Sequence, residues 1–209
     1  MIAAVKGLYA VTPDIADTPE LLAKVEAALA GGARLLQYRS KTASAALRLV
    51  QARALLALCW EYHVPLIIND HLELALALDA DGLHLGSEDG SLAEARGRLG
   101  PDRFLGASCY NRLDNALNAA RIGASYVGFG SFFPSSVKPD AVRAPLELLS
   151  EAKRKLKLPV VAIGGITLDN APQLIAAGAD SVAVISALFE APDVKLAAQR
   201  FRALFGRPS

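Results

Sequence analysis

Eight short runs rich in valine, isoleucine, leucine and glycine punctuate the 209 residues, each followed by a longer Ala/Leu-rich stretch of helical period. A strand covered by helices on both faces reads as an unbroken apolar run, so this alternation predicts βα units around a parallel sheet. The predicted strands are 7–12, 34–39, 65–69, 82–85, 104–108, 126–130, 160–164 and 181–186. A repeat supports the count: Ala30-Gly31-Gly32-Ala33-Arg34, Ile122-Gly123-Ala124-Ser125 and Ala177-Gly178-Ala179-Asp180 each close a helix with glycine and open an apolar strand. Glycine there suits a left-handed helix end. Eight units without a linker-like change of composition predict an α/β fold, one (β/α)8 TIM barrel domain over residues 1–209. The alternative is a doubly wound open sheet. Against it, no GxGxxG turn follows the first strand, and the glycine-rich strand ends fall late in the chain, where barrels often bind phosphate.

Charge and cysteine usage narrow the function. Lys+Arg 22 against Asp+Glu 21 gives a formal net charge of +1, which supplies no global field for a polyanion and disfavours nucleic acid as a partner. Hydrophobic residues make up 53% of the chain, too many for disorder. No stretch approaches the roughly 18 uninterrupted apolar residues of a membrane helix. Lys6, Pro13 and Asp14 interrupt the N-terminal segment before any signal-peptide core, so a cytoplasmic location is expected. Cys59 and Cys109 stand far apart in apolar segments and read as buried thiols. With only His63, His71 and His84, and no HExxH motif, a zinc enzyme is disfavoured.

In a barrel the chemistry sits at the carboxyl ends of the strands. Gln37-Tyr38-Arg39-Ser40-Lys41 ends the second, and the period of two puts Gln37 and Arg39 on one face, Leu36 and Tyr38 on the other. Arginine as a bidentate fork and lysine as a compact charge suit a phosphate or diphosphate. Asn69-Asp70 ends the third strand and Gly86-Ser87-Glu88-Asp89 follows the fourth, so Asp70 and Asp89 can share a Mg2+ completed by substrate phosphates and water. Helix capping is the competing reading of each carboxylate, and Ser91 with Glu94 forms a capping-box pattern. Ser108 ends the fifth strand. The turn from Gly130 to Asp140 carries Ser135, Ser136 and Lys138 in a loop long enough to grip a phosphorylated ligand. Gly164-Gly165-Ile166-Thr167 and Ile185-Ser186 follow strands seven and eight, where backbone N–H groups meet phosphate in many barrels. Two anion sites on one rim predict two phosphorylated substrates, or one with two phosphate ends. His84 reads as a packed, hydrogen-bonded histidine rather than a catalytic one. Ser108, His84 and an aspartate lack the GxSxG elbow of a hydrolase triad.

Several of these segments together, Leu8-Tyr9-Ala10-Val11-Thr12, Gln37-Tyr38-Arg39-Ser40-Lys41, Ile67-Ile68-Asn69-Asp70, Asp81-Gly82-Leu83-His84-Leu85-Gly86-Ser87-Glu88-Asp89, Gly128-Phe129-Gly130 with Lys138-Pro139-Asp140, Ala162-Ile163-Gly164-Gly165-Ile166 and Val184-Ile185-Ser186, resemble in order the motifs of the thiamine phosphate synthase family. The resemblance spans nearly the whole chain, and the ordered set is specific where a single Gly-Gly turn is not. It implies a transferase that joins 4-amino-2-methyl-5-pyrimidinylmethyl diphosphate to a thiazole monophosphate, giving thiamine phosphate and diphosphate with Mg2+ as cofactor. By the same resemblance, Gln37, Tyr38, Arg39, Ser40 and Lys41 hold the pyrimidine diphosphate, with Asn69 and Lys138 in contact with it. Asp70 and Asp89 match magnesium ligands, and Ser108 matches a residue at the pyrimidine. Ser135, Ser136, Val137, Gly165, Ile185 and Ser186 fall where the family binds the thiazole phosphate. Arg39, Lys41, Ser108 and Lys138 are the expected catalytic set. The implied mechanism is dissociative: diphosphate leaves first, and the thiazole nitrogen attacks the resulting pyrimidinylmethyl cation. Val137 stands where the family usually has a hydroxyl residue, Ser87 where glutamine is usual, and Ser40 where glutamate is frequent.

The resemblance implies small-molecule substrates as partners, with neither nucleic acid nor membrane, and leaves room for a homo-oligomer. The nearest rival is a thiazole tautomerase of the same superfamily, which needs neither diphosphate nor magnesium; the joint presence of Asp70, Asp89, Arg39, Lys41 and Lys138 argues against it. A phosphosugar epimerase or aldolase would need a Schiff-base lysine or an acid/base pair on a barrel strand. A non-catalytic phosphate-ligand-binding barrel would leave charged clusters at several strand ends without a reason.

Overall fold

The apolar runs form eight parallel strands that pair in sequence order, and β1 meets β8 to close a barrel. In the computed structural model, which describes residues 5–134 and 142–206, they are β1 (Gly7–Val11), β2 (Leu35–Tyr38), β3 (Leu66–Asn69), β4 (Gly82–Leu85), β5 (Phe104–Tyr110), β6 (Tyr126–Phe129), β7 (Val160–Ile163) and β8 (Ser181–Val184). The helices are α1 (Thr18–Ala30), α2 (Ala45–Glu61), α3 (Leu72–Ala77), α4 (Leu92–Leu99), α5 (Leu113–Ile122), α6 (Glu147–Lys155) and α7 (Ala171–Ala176), with a one-turn α8 (Ser186–Phe189) and α9 (Val194–Ala203) after β8. This is the expected (β/α)8 architecture. The open-sheet alternative fails at the seam, where Tyr9 of β1 is in register with Ala183 of β8.

Helix starts follow local chemistry. Asp17 accepts the Glu20 N–H at 2.7 Å to cap α1, and Ser44, Ser91 and Asp193 cap α2, α4 and α9 in the same way. Of the repeated glycines, Gly32, Gly123 and Gly178 take positive φ angles of 102°, 98° and 111°. Gly31 does not; a Cβ there would run into Ala198 and the Lys195 carbonyl of α9, so close helix packing requires this glycine.

Strand alternation sorts the side chains into two apolar layers. Leu8, Leu36, Ile68, Leu105, Val127 and Val182 pack outward beneath the helices. Tyr9, Val11, Leu35, Ile67, Tyr126, Val161 and Ala183 point inward. Among the described residues no helix is long and apolar enough to cross a membrane.

Candidate active site

At the mouth, Thr12 clamps the end of β2 to β1: its buried Oγ1 accepts the Arg39 N–H at 2.9 Å and donates to the Arg39 carbonyl at 3.0 Å. Asp14 then gathers the loop beyond. Its Oδ1 accepts the backbone N–H groups of Lys41 at 2.5 Å and Thr42 at 3.2 Å, and its Oδ2 lies 3.3 Å from Arg39 Nη1. Burial alone would raise the Asp14 carboxyl, but these N–H donors and the Arg39 charge hold it below its usual value. Gln37 and Arg39 line a cavity of about 400 Å³, as their shared face predicts. Tyr38 faces away from it: the hydroxyl donates to Gln51 Oε1 on α2 at 2.7 Å, so the expected substrate contact of Tyr38 is corrected to an outward packing role. Ser40 is buried; its Oγ donates to Asp14 at 3.4 Å and accepts the Ala43 N–H at 3.3 Å, shaping the loop rather than the cavity.

Asn69 also lines the cavity. Asp70 sits at φ 62°, is 12% exposed, and accepts from the Lys41 ammonium. It does not cap α3, whose cap position is His71. Asp89 turns back on its own loop, with Oδ2 accepting the Gly86 N–H at 2.9 Å, while Ser91 caps α4. Burial and the Arg48 charge lower the His71 imidazole, and Asp70 and Asp89 both oppose that shift. Among the described residues no three His, Cys, Asp or Glu side chains assemble into a protein-only metal cage. Two hard carboxylate donors are what Mg2+ takes when substrate phosphates and water supply the rest, and this donor set fits that ion.

Deeper in, Gln37 Nε2 donates to the Tyr9 hydroxyl at 2.8 Å, and the Tyr9 and Tyr126 hydroxyls lie 2.7 Å apart. Burial pushes both phenols above their ordinary value. His84 bridges onward, Nδ1 to Tyr126 Oη at 3.1 Å and Nε2 to Ser108 Oγ at 2.8 Å. The His84 and Tyr126 rings stack with centroids 5.6 Å apart, in space left by Gly106 of β5, where a Cβ would run into both. A Ser–His pair is therefore present, but among the described residues a tyrosine, not a carboxylate, lies at Nδ1 of the imidazole. The set is not a hydrolase triad.

A second cavity of about 180 Å³ lies against the first, and Ile163, Gly164, Ala183 and Ile185 line both. Its wall adds Pro134, Gly165, Ile166, Thr167, Ser186 and Ala187. Gly165 has φ 64°, and a Cβ there would strike the Phe133 and Pro134 backbone, so only glycine keeps this wall open. At the start of α8 the Ile185 carbonyl takes up the Leu188 and Phe189 N–H groups, which leaves those of Ser186 and Ala187, both in this wall, as the donors suited to an anion. Ser135, Ser136, Val137 and Lys138 lie outside the described residues; they follow Pro134, which lines this cavity.

Sequence reasoning missed Tyr9, Tyr126, Asp14 and Tyr110 as site residues. Tyr110 lines the larger cavity, and its hydroxyl accepts from Ser87 Oγ at 3.1 Å, tying the β4 turn to β5.

The family described as thiamine monophosphate synthase matches residues 8–188. Relatives named thiamine-phosphate synthase include one from Aromatoleum aromaticum, 58% identical over 200 residues, covering 96% of each chain. Another, from Methylobacillus flagellatus, is 58% identical over 201 residues, again covering 96% of each. A solved structure described as thiamine phosphate pyrophosphorylase from Pyrococcus furiosus has a TM-score of 0.84 at 37% identity, covering 97% of this chain and 96% of that one.

Proposed function

The chain belongs to the thiamine monophosphate synthase family and is a transferase of that family, and from this premise we propose that it joins 4-amino-2-methyl-5-pyrimidinylmethyl diphosphate to a thiazole monophosphate, releasing diphosphate. The observation that carries this reading is the pair of cavities with a common wall on one rim. The larger has an amide, a guanidinium and hydroxyls; the smaller has a glycine turn and helix-end donors. Two ligands seated there meet edge to edge, which is what joining them requires.

In this proposal Arg39 and Lys41 bind the diphosphate, held by the Asp14 loop at the mouth, and Lys138 adds a third cation. Positive charge fixed at the departing group stabilises it as its bond to the methylene carbon breaks. Gln37, Asn69 and Ser108 orient the pyrimidine ring, whose exocyclic amine feeds electrons to the cationic carbon. Gly165, Ile185 and Ser186, with Ser135, Ser136 and Val137, hold the thiazole phosphate so that the thiazole nitrogen reaches that carbon. Asp70 and Asp89 would hold Mg2+, which when bound neutralises further charge on the diphosphate. No protein nucleophile takes part, in keeping with burial that pushes the Cys59 and Cys109 thiols up to about 12.

The test is diphosphate release by the purified protein with the pyrimidine diphosphate, with and without the thiazole phosphate and Mg2+, while thiamine phosphate is followed. Matched formation of both products, abolished by chelation, is expected. Folded protein that binds the thiazole phosphate but forms no product would overturn the reading.

A further inference from the structure

Five side chains of the larger cavity form one unbroken row of hydrogen bonds, Gln37–Tyr9–Tyr126–His84–Ser108, with spacings of 2.8, 2.7, 3.1 and 2.8 Å. The row joins β2, β1, β6, β4 and β5 around the inside of the barrel. Each hydroxyl has a single hydrogen, so a row in which every hydroxyl both accepts and donates runs all one way or all the other. The Gln37 end decides which. An amide nitrogen only donates, so Tyr9 accepts from it, and in such a row its own hydrogen goes to Tyr126. Tyr126 in turn gives to His84 Nδ1. A neutral imidazole that accepts at Nδ1 carries its proton on Nε2, pointed at Ser108 Oγ. Ser108 therefore accepts from the ring and keeps its own O–H for the cavity it lines. The reverse direction would set the Tyr9 hydrogen against the Gln37 amide hydrogens, a mismatch for the amide as it is held here.

We infer that Tyr9, Tyr126 and His84 are positioning residues that act as a directional relay, fixing Ser108 as a hydrogen-bond donor toward the pyrimidine ring. The inference rests on the proposed seat of the pyrimidine at Ser108. It gives the tyrosine pair a purpose beyond packing, since two phenylalanines would fill the same space without a direction. It also bears on selectivity. Gln37 Oε1 makes no hydrogen bond among the described residues and is not sealed from the cavity, so the wall offers an acceptor at Gln37 and a donor at Ser108. A 4-aminopyrimidine carries the matching amine donor beside a ring-nitrogen acceptor; the 4-oxo ring carries the reverse pattern and leaves buried groups unpaired.

The experiment is nitrogen-15 NMR of histidine-labelled protein, which reads the protonated ring nitrogen of His84 directly, with the His84→Asn variant assigning the signals. The wild type is expected to show the proton on Nε2. Gln37→Glu replaces the donor with a carboxylate that only accepts, so the row should reverse and the His84 proton should appear on Nδ1, three hydrogen bonds along the relay. Tyr126→Phe cuts the row without adding charge; the KM for the pyrimidine diphosphate should rise about three- to tenfold while that for the thiazole phosphate stays unchanged. A proton on Nδ1 in the wild type, an unchanged tautomer in Gln37→Glu, or an unaltered KM in Tyr126→Phe would each overturn the relay. Thiamine phosphate formation by the same wild-type preparation is measured alongside. Its absence would overturn the proposed function, while the tautomer still decides the relay.

Discussion

Asp14 Oδ1 accepts the backbone N–H of Lys41 at 2.5 Å, so a carboxylate just past β1 fixes the loop that follows β2. The same carboxylate pairs with Arg39, which means one side chain aims both proposed diphosphate cations. Asp14→Ala should raise the KM for the pyrimidine diphosphate about tenfold through loss of these bonds. Steady-state kinetics with each substrate varied in turn checks this, since the KM for the thiazole phosphate should not move.

The same residue sets an acid limit. The Asp14 carboxyl is depressed on folding because its N–H donors and Arg39 outweigh burial. A depressed carboxylate stabilises the fold above its unfolded pKa of about 3.9. That contribution is lost as pH falls through the lower folded value. Urea melts of wild type and Asp14→Asn should therefore differ at neutral pH and converge in strong acid; a gap that widens in acid would contradict the assignment.

Asp70→Asn and Asp89→Asn should each lower turnover about 100-fold, the scale of losing a divalent cation at a leaving group. Asparagine at 89 can still accept the Gly86 N–H, so that turn survives. Thermal melts should stay within about 4 °C of wild type, and calorimetric titration with Mg2+ and diphosphate should show weakened binding.

Gly106→Ala should separate His84 from Tyr126, because the new methyl would occupy the space between the imidazole and the phenol. Overpacking of this kind costs about 1–3 kcal/mol. Denaturant unfolding should show that loss, with kcat/KM for the pyrimidine diphosphate falling alongside.

Much of this site was readable from strand periodicity. Gln37 and Arg39 sit two residues apart on a strand, so they share a face in any barrel, and both line the cavity. The same alternation sends Tyr38 outward to Gln51, against the family-based expectation. The tyrosine pair was not readable. Tyr9 and Tyr126 are 117 positions apart and look like ordinary strand aromatics; their hydroxyls meet only because the barrel closes. Asp14 was hidden for a related reason. It belongs to the β1 loop, and its partners are backbone N–H groups of another loop, which no spacing rule reports. Taken alone, Asp70 reads more readily as a helix cap than as a metal ligand, yet the cap position of α3 is His71.

Alkylating reagents should leave the native enzyme active. Cys59 and Cys109 are each 1% exposed, and burial raises both thiols to about 12, so almost no thiolate exists at neutral pH. Mass spectrometry after iodoacetamide treatment should find neither residue modified without denaturant.

Ile163, Gly164, Ala183 and Ile185 each form part of two cavities at once. A ligand on one side shields or shifts a surface that the ligand on the other side also touches, and any factor by which the first changes the second's affinity is returned in full. In the proposed reaction the two substrate affinities are thus linked quantities. A substitution in that partition, even one chosen to suit a single ligand, alters the terms on which both are held.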